Sequence, residues 1–341
     1  MVSPIGADAA QTATSVRAGI RRMRELPSIY LCRPEDERLE DPDPLVGSAI
    51  THLDPAARRA GRVAEWLGVL AGHAFRDLAR RGRLDGLDPR QLGLFLAVPE
   101  AAGLGPEESA ALAIHFHDHA GRDLLPGFAT RPGDRTTGLA LLQAAAAAVG
   151  ERRISQAVVG GVESYLFSRR LAPLDDHWRL LCERNPDGFQ PGEAAAFVLL
   201  ERRADALARG LTPLATLRGF GAGAVAGGPG PPNTGAALVA ALESLVGAAG
   251  PAPLVLCDLN GESSRTREWG FALSRLGSRL GAGATVLHPA SALGDVGSAS
   301  GAVLLALAAH TLGDRRTGRQ TALIWAAADD GDRRAALLGE A

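Results

Sequence analysis

Two alanine-rich segments, residues 138–149 and 298–312, constrain the fold of this chain more than any other feature. A helix of such small apolar residues has no polar face, so it is expected to be buried on all sides. Each segment is followed by a polar turn and then by an apolar run typical of a buried strand, at 156–162 and 321–327. Two such helices in two similar halves predict a duplicated α/β fold of five layers, in which sheets enclose the central helices.

The rest of the sequence alternates between helical and strand-like patterns. We expect helices at 8–26, 53–81, 106–119, 202–209, 234–249 and 265–280, and strands at 92–98, 194–201, 253–259 and 284–287. This alternation favours parallel βαβ units.

Residues 219–233 are rich in glycine and proline, and we interpret them as a junction between an N-terminal half, 1–218, and a C-terminal half, 234–341. Gly221 and Gly223 would suit a phosphate-binding turn, but prolines interrupt the segment that follows and no strand–turn–helix unit surrounds it. We therefore predict a linker here and no cofactor.

Composition excludes several classes of protein. Hydrophobic residues make up 46% and charged residues 22%, which is typical of a globular chain. The formal net charge of −2 argues against binding to nucleic acid or to an anionic membrane surface. The longest apolar runs fall well short of the roughly 20 residues that span a bilayer. Three cysteines, Cys32, Cys182 and Cys257, without a Cys-x-x-Cys pair, indicate a reducing, cytoplasmic compartment and no structural zinc.

Histidines cluster at residues 115–119. On a helix only His115 and His119 would share a face. A solvated helix end explains this pattern better than a metal site, so we predict no metal.

The run NPDGFQPGEAAAFVLLE, residues 185–201, resembles the GFxxGE loop and following strand of β-ketoacyl synthases, which are members of the thiolase-like superfamily. Residues 2–20, 152–164 and 293–307 resemble other segments of the same enzymes. The resemblance covers nearly the whole chain and implies the thiolase-like, duplicated five-layered αβαβα fold. Ketosynthases usually carry an apolar strand before the segment matching residues 2–20, so that strand is expected to be missing or to lie upstream of Met1.

The sequence departs from the ketosynthase pattern at each catalytic position. The nucleophilic cysteine should lie near Arg135 and Thr136, and no cysteine is found there. Asn260 and Asp295 stand where the resemblance places the two catalytic histidines. The glycine-rich loop near the C-terminus is also missing. Without a thiolate and two hydrogen-bond donors for the thioester oxygen, decarboxylative condensation is not expected.

A second polar cluster, CDLNGESSRTREWG at 257–270, follows a predicted strand, where α/β folds place ligands. Asp258, Glu262 and Arg265 are binding candidates there, together with Glu193 in the GFxxGE loop. Two interpretations stay open for the cluster: a ligand site, or an ion-paired loop that caps a helix. For Glu193 the alternative is a carboxylate that accepts backbone hydrogen bonds. Thr136 or Thr137 would be a weak nucleophile without a visible base, and Cys257 is expected to be a buried core residue.

Two functions follow as hypotheses. The first is a degenerate ketosynthase-like protein that acts by binding, as an adaptor or as the partner subunit of an active ketosynthase. The loop at 257–270 resembles a group of thiolase-like proteins from type VI secretion loci, which implies an adaptor for secreted effectors. The second is a repurposed acyltransferase or thioester hydrolase that acts on acyl carrier protein or acyl-CoA, with Asp295 or Glu262 as general base. Both imply a homodimer or a heterodimer with a related chain.

Overall fold

The structure is a computed structural model that describes residues 1–30, 44–54, 56–59, 62–100, 106–120, 129–225, 234–250, 253–281 and 283–341. Its helices are α1 (Ala9–Arg17), α2 (Ala56–Arg59), α3 (Val63–Arg81), α4 (Pro106–Ala120), α5 (Thr137–Gly150), α6 (Ser168–Asp176), α7 (Arg203–Ala208), α8 (Ala236–Val246), α9 (Ser263–Leu280), α10 (Ala290–Leu293) and α11 (Ser300–Gly313). Its strands are β1 (Arg24–Tyr30), β2 (Pro44–Gly47), β3 (Leu92–Pro99), β4 (Ala129–Gly133), β5 (Gln156–Ser164), β6 (Glu193–Glu201), β7 (Thr216–Ala224), β8 (Leu254–Cys257), β9 (Thr285–Leu287), β10 (Thr321–Ala327) and β11 (Asp332–Gly339).

Two mixed sheets form the body of the molecule. The first has the order β4-β3-β5-β6, and the second has the order β9-β8-β10-β11-β7. In each sheet the first three strands of this order are parallel and the fourth runs antiparallel to its neighbour. The two sheets therefore repeat one topology, as the duplication predicted, and β1 and β2 form a separate small antiparallel pair.

The apolar residues form three main clusters that correspond to the layers. One apolar cluster surrounds α5 and α11 between the two sheets. The other two apolar clusters lie under α3 and α4 on one side and under α8 and α9 on the other. The five-layer prediction is confirmed. Neither central helix has a large side chain at its crossing point: a Cβ added to Gly138 would lie 3.0 Å from the Ala302 nitrogen, and one on Gly301 would lie 2.9 Å from the Leu139 nitrogen.

The structure corrects several boundaries. The helix predicted at 8–26 ends at Arg17, and part of its second half belongs to strand β1. The helix predicted at 53–81 is two helices, α2 and α3. The linker prediction is wrong for residues 219–224, because these glycine-rich residues form most of β7, which pairs with β11. Residues 226–233 lie outside the described ranges.

The histidines of α4 contact another helix rather than solvent alone. A Cβ on Gly68 or Gly72 of α3 would lie 2.6 Å from His115 Cβ and 2.4 Å from His119 Cβ, so these glycines allow the two helices to approach closely. Within the described ranges, no group of three or more His, Cys, Asp or Glu side chains could hold a metal ion. None of the helices placed in those ranges is long and apolar enough to cross a membrane.

Candidate functional site

Arg135 lies between the end of β4 and the start of α5, at the position that the resemblance gives to a nucleophile. Its side chain is only 1% exposed. Its Nη2 and Nε donate to Asp295 Oδ2 at 2.6 and 3.1 Å, and its Nη1 donates to Asp134 at 3.2 Å. A guanidinium is never deprotonated in a protein, so a buried one must be matched by carboxylates, as it is here.

Asn260 completes the contact between Arg135 and Asp295. Its amide nitrogen donates to Asp295 Oδ2 at 2.7 Å and to Glu262 Oε2 at 2.9 Å. The other oxygen of Asp295 accepts the backbone N–H of Gly297 at 2.9 Å. The structure thus brings Arg135, Asn260 and Asp295, three of the four positions that the sequence predicts to be degenerate, into one hydrogen-bonded cluster, which we call the central cluster.

The GFxxGE loop holds Asp295 in place through the backbone. The Asp295 N–H donates to the Gln190 carbonyl at 2.7 Å, and the Gly192 N–H donates to the Asp295 carbonyl at 2.9 Å. A Cβ on Gly192 would lie 2.0 Å from the Leu293 oxygen, and Gly294 has a φ of +74°. The glycines are therefore needed for this close approach of two backbones.

An outer ring of ion pairs surrounds the central cluster. Arg179 donates to both oxygens of Glu262, at 2.7 and 2.9 Å, and to Asp329 at 2.6 Å. Arg265 donates to Glu262 at 3.1 Å and also to Asp329. Asp329 in addition accepts from Arg135 at 3.4 Å, which joins the ring to the centre.

The arginines determine the charge state of these carboxylates. Burial alone would raise the pKa of Asp295, but the Arg135 guanidinium outweighs burial and holds that pKa below its usual range. Burial is likewise outweighed at Glu262 by Arg179, and at Asp329 by Arg135 and Arg265, so both pKa values are lowered. All three groups are therefore carboxylates at neutral pH and can accept protons only weakly.

Asp258 differs from the other carboxylates of the site. Its Oδ2 accepts the Ala327 N–H at 2.9 Å and lies 3.6 Å from Arg265 Nη1, while its Oδ1 has no hydrogen-bond partner among the residues that the structure describes. Burial raises the pKa of Asp258 to about 6. A cavity of about 20 Å³ lined by Asp258, Asp295 and Cys257 lies beside it, which is large enough for a single water molecule.

Glu193 does not belong to this site. Its carboxylate is fully buried and accepts from Ile50 N at 2.7 Å, Trp66 Nε1 at 2.8 Å, Ser164 Oγ at 2.7 Å and Arg58 Nη1 at 2.5 Å. These donors come from separate parts of the first half of the chain. The geometry fits the alternative of an internal hydrogen-bond acceptor rather than a ligand site.

An open cleft of about 610 Å³ lies over the outer ring and along the start of α5. Its lining includes five arginines and six acidic residues: Arg131, Arg169, Arg170, Arg179, Arg334, Glu100, Asp134, Glu163, Asp329, Asp330 and Asp332. Thr136 lies in its wall, and no hydrogen bond involves the Thr136 hydroxyl in the part of the chain described. A lining of this kind suits a charged ligand and does not suit an acyl chain.

The sequence missed two residues of the outer ring. Arg179 lies in an irregular loop after α6, and Asp329 lies in the turn between β10 and β11. Neither belongs to a recognisable motif. The expectation for Cys257 is confirmed: it is fully buried, and burial raises the pKa of its thiol well above the usual value.

No protein-family profile and no curated protein matches this chain. Several solved structures do match the chain. The ishigamide ketosynthase/chain length factor matches with a TM-score of 0.76 and 16% identity, over 100% of this chain and 97% of the other. The ketosynthase from module 6 of the bacillaene synthase of Bacillus subtilis 168 matches with a TM-score of 0.74 and 14% identity, over 99% of this chain and 70% of the other.

A further match is to a complex of a type II PKS acyl-carrier protein with its ketosynthase bound to the hexaketide. It has a TM-score of 0.69 and 17% identity, over 100% of this chain and 97% of the other. At these identities the likeness concerns the fold. The chain has the thiolase-like fold that ketosynthases and chain-length factors share.

Proposed function

We propose that this protein is a ketosynthase-like protein that has lost condensation chemistry and acts by binding another protein. The observation that carries the proposal is the central cluster. In this cluster the polar groups of Arg135 and Asn260 are hydrogen-bonded to Asp295. The side chains at the positions that should attack and polarise a thioester are therefore not available to a substrate.

Each member of the central cluster is unsuited to its position in a condensation reaction. Arg135 is permanently protonated and has no electron pair with which to form a thioester. Asn260 directs its amide N–H groups at Asp295 and Glu262 rather than at a substrate oxygen. Asp295 carries a negative charge where an enolate or oxyanion would form, and loss of even one oxyanion donor costs about 10² to 10³ in rate.

The repurposed acyltransferase or thioester hydrolase is less well supported. It needs Asp295 or Glu262 as general base, and an effective base has a pKa near the working pH. Both pKa values are lowered instead. The open cleft beside Thr136 would give a substrate access to that hydroxyl, but its charged lining does not suit an acyl chain.

For the partner, we propose a related thiolase-like chain, in a homodimer or as the non-condensing subunit of a heterodimer. The structural neighbours support this choice, because one of them is a ketosynthase/chain length factor and another is a ketosynthase in complex with an acyl-carrier protein. An adaptor role for type VI secretion effectors is the alternative partner assignment. Its support is the resemblance of residues 257–270.

Purification of the tagged protein from its native host, with mass spectrometry of the proteins that accompany it, tests the proposal. We expect an active ketosynthase or an acyl carrier protein, whereas a secretion effector or spike protein would support the adaptor assignment. Arg131 is an exposed arginine of the cleft, and Arg90 is an exposed arginine elsewhere. Arg131→Glu should therefore reduce partner recovery, and Arg90→Glu should not. Turnover of acyl thioesters by the purified protein would contradict the proposal.

A further inference from the structure

Three hydroxyl side chains at the floor of the open cleft have no hydrogen-bond partner. Thr136 and Thr137 lie at the start of α5, and Tyr165 follows β5. They are 4%, 9% and 6% exposed, so each is at least nine-tenths buried. Their hydroxyls form no hydrogen bond within the described chain and are not among its enclosed polar atoms, so they are open to the cleft. Polar groups at this depth are normally paired, which points to a ligand.

Arg170 adds a positive charge beside these hydroxyls. It is 7% exposed and lines the cleft, and its guanidinium carbon lies 4.9 Å from the centre of the Tyr165 ring. Its Nη2 donates to Glu163 at 3.0 Å, but its Nε has no partner in the part of the chain that the structure describes. Burial raises the pKa of Tyr165 well above the usual value, so the phenol keeps its proton and can donate. Together with the positive end of the α5 dipole, these donors favour an anion.

The acidic residues of the cleft limit the charge of that anion. Four of the six are already paired with an arginine: Asp134, Glu163, Asp329 and Asp332. The other two, Glu100 and Asp330, are exposed and form no ion pair within the described ranges. Arg131 is also exposed and can balance only one of them. The rim therefore repels a singly charged carboxylate less than a doubly charged phosphate, and it attracts a cation that lies next to the carboxylate.

We propose that the floor of the cleft binds the C-terminal carboxylate of a partner polypeptide, whose neighbouring side chains are basic and lie at the rim. The carboxylate accepts from Thr136, Tyr165 and Arg170. An acidic segment would be repelled by Glu100 and Asp330, whereas a chain terminus carries its carboxylate whatever residues precede it. Capture of a C-terminal carboxylate is a recurring mode of peptide recognition. The inference rests on the proposed function, because it names the part of the partner that the cleft holds.

Isothermal titration calorimetry of the full chain with an acetylated peptide tests the inference. The peptide alternates glycine and lysine over five residues and has a free C-terminus. We expect saturable binding. The same peptide with a C-terminal amide should bind at least about tenfold more weakly, because it loses hydrogen bonds to a charged acceptor. Equal binding of the two peptides, or no binding of the free acid, would overturn the proposal.

Two conservative variants test the hydroxyls directly. Thr136→Val and Tyr165→Phe each remove a hydroxyl that has no partner in the described chain, and the Thr136 side chain does not cap α5. Each should weaken binding of the free-acid peptide about fivefold without lowering the thermal unfolding temperature. The control is Thr14→Val, at an exposed threonine of α1 outside the cleft, which should bind normally. Unchanged binding by both hydroxyl variants would contradict the assignment.

The outcomes separate this inference from the proposed function. Recovery of a partner protein from the host, together with no binding of the free-acid peptide, would overturn the carboxylate site and leave the proposed function standing. Turnover of acyl thioesters by the purified protein would instead contradict the proposed function itself. Binding of the free acid in preference to the amide, lost in both hydroxyl variants, supports the carboxylate site.

Discussion

Glu193 and Asp295 are both buried carboxylates, but their hydrogen-bond donors come from different parts of the molecule. Glu193 accepts from four donors that belong to four separate parts of the first half, so it joins those parts. Asp295 accepts mainly from Arg135 and Asn260, and the resemblance to ketosynthases assigns all three residues to catalytic positions. The same requirement, a partner for every buried charge, joins parts of the architecture in one place. In the other it ties together the three residues that we propose stand in a former catalytic centre.

The largest expected effect comes from removing one side of the central ion pair. Arg135→Ala leaves Asp295 as an uncompensated buried charge and should lower the free energy of unfolding by about 3–5 kcal/mol. Urea denaturation measures the loss. Arg135→Met with Asp295→Leu removes both charges and should recover most of it. A loss as large in the double variant as in the single one would show that packing, not charge, is responsible.

Glu193→Gln tests the architectural carboxylate. The new amide NH₂ faces hydrogen-bond donors, so we expect a loss of about 2 kcal/mol in the free energy of unfolding. Recovery of the binding partner should not change. The control is Glu151→Gln, an exposed residue whose substitution should be neutral. A loss of partner binding without a loss of stability would move Glu193 into the functional site.

The pH dependence of stability tests Asp258. Its pKa in the folded state is about 6, above the ordinary value of 3.8, so the folded protein binds the proton more tightly than the unfolded chain does. This group therefore favours folding below about pH 4, and its contribution falls as pH rises toward 6. Asp258→Asn should remove a decline of about 3 kcal/mol from the stability profile. Parallel profiles for both proteins would contradict the assignment.

The smallest effect is expected at Asn260. Asn260→Ala removes the hydrogen bonds to Asp295 and Glu262 but leaves the arginine contacts, so the free energy of unfolding should fall by about 1 kcal/mol. Thermal unfolding measures it against the natural sequence. A fall as large as that of Arg135→Ala would mean that the amide, rather than the guanidinium, holds the cluster together.

The pattern of apolar residues was sufficient to predict the buried helices and strands, but not the exposed ones. Helices α5 and α11 and strands β5, β6 and β10 have long apolar runs, so their place in the core was visible in the sequence. Strand β7 has the sequence TLRGFGAGA, and the sequence predicts a linker from residue 219 onward because its glycines have no side chains to show alternation. Its strand conformation depends on pairing with β11, and no local sequence pattern reveals that pairing.

The sequence predicted the site residues that lie beside recognisable motifs, but not those that lie in loops brought together by the fold. Arg135, Asn260 and Asp295 were found because their flanking segments resemble ketosynthase motifs. That they bond to one another depends on the packing of the two halves. Arg179 and Asp329 come from loops whose positions are fixed only by tertiary contacts, so the outer ring could not be predicted.

Decarboxylation of a malonyl thioester is the most direct test of the central claim. The purified protein is incubated with malonyl-CoA carrying ¹⁴C in the free carboxyl group, and released ¹⁴CO₂ is counted. The occupied central cluster predicts release no faster than the protein-free blank, together with no acyl adduct in the intact mass. Release above the blank that is lost in Asn260→Ala, or an adduct on the chain, would contradict the account.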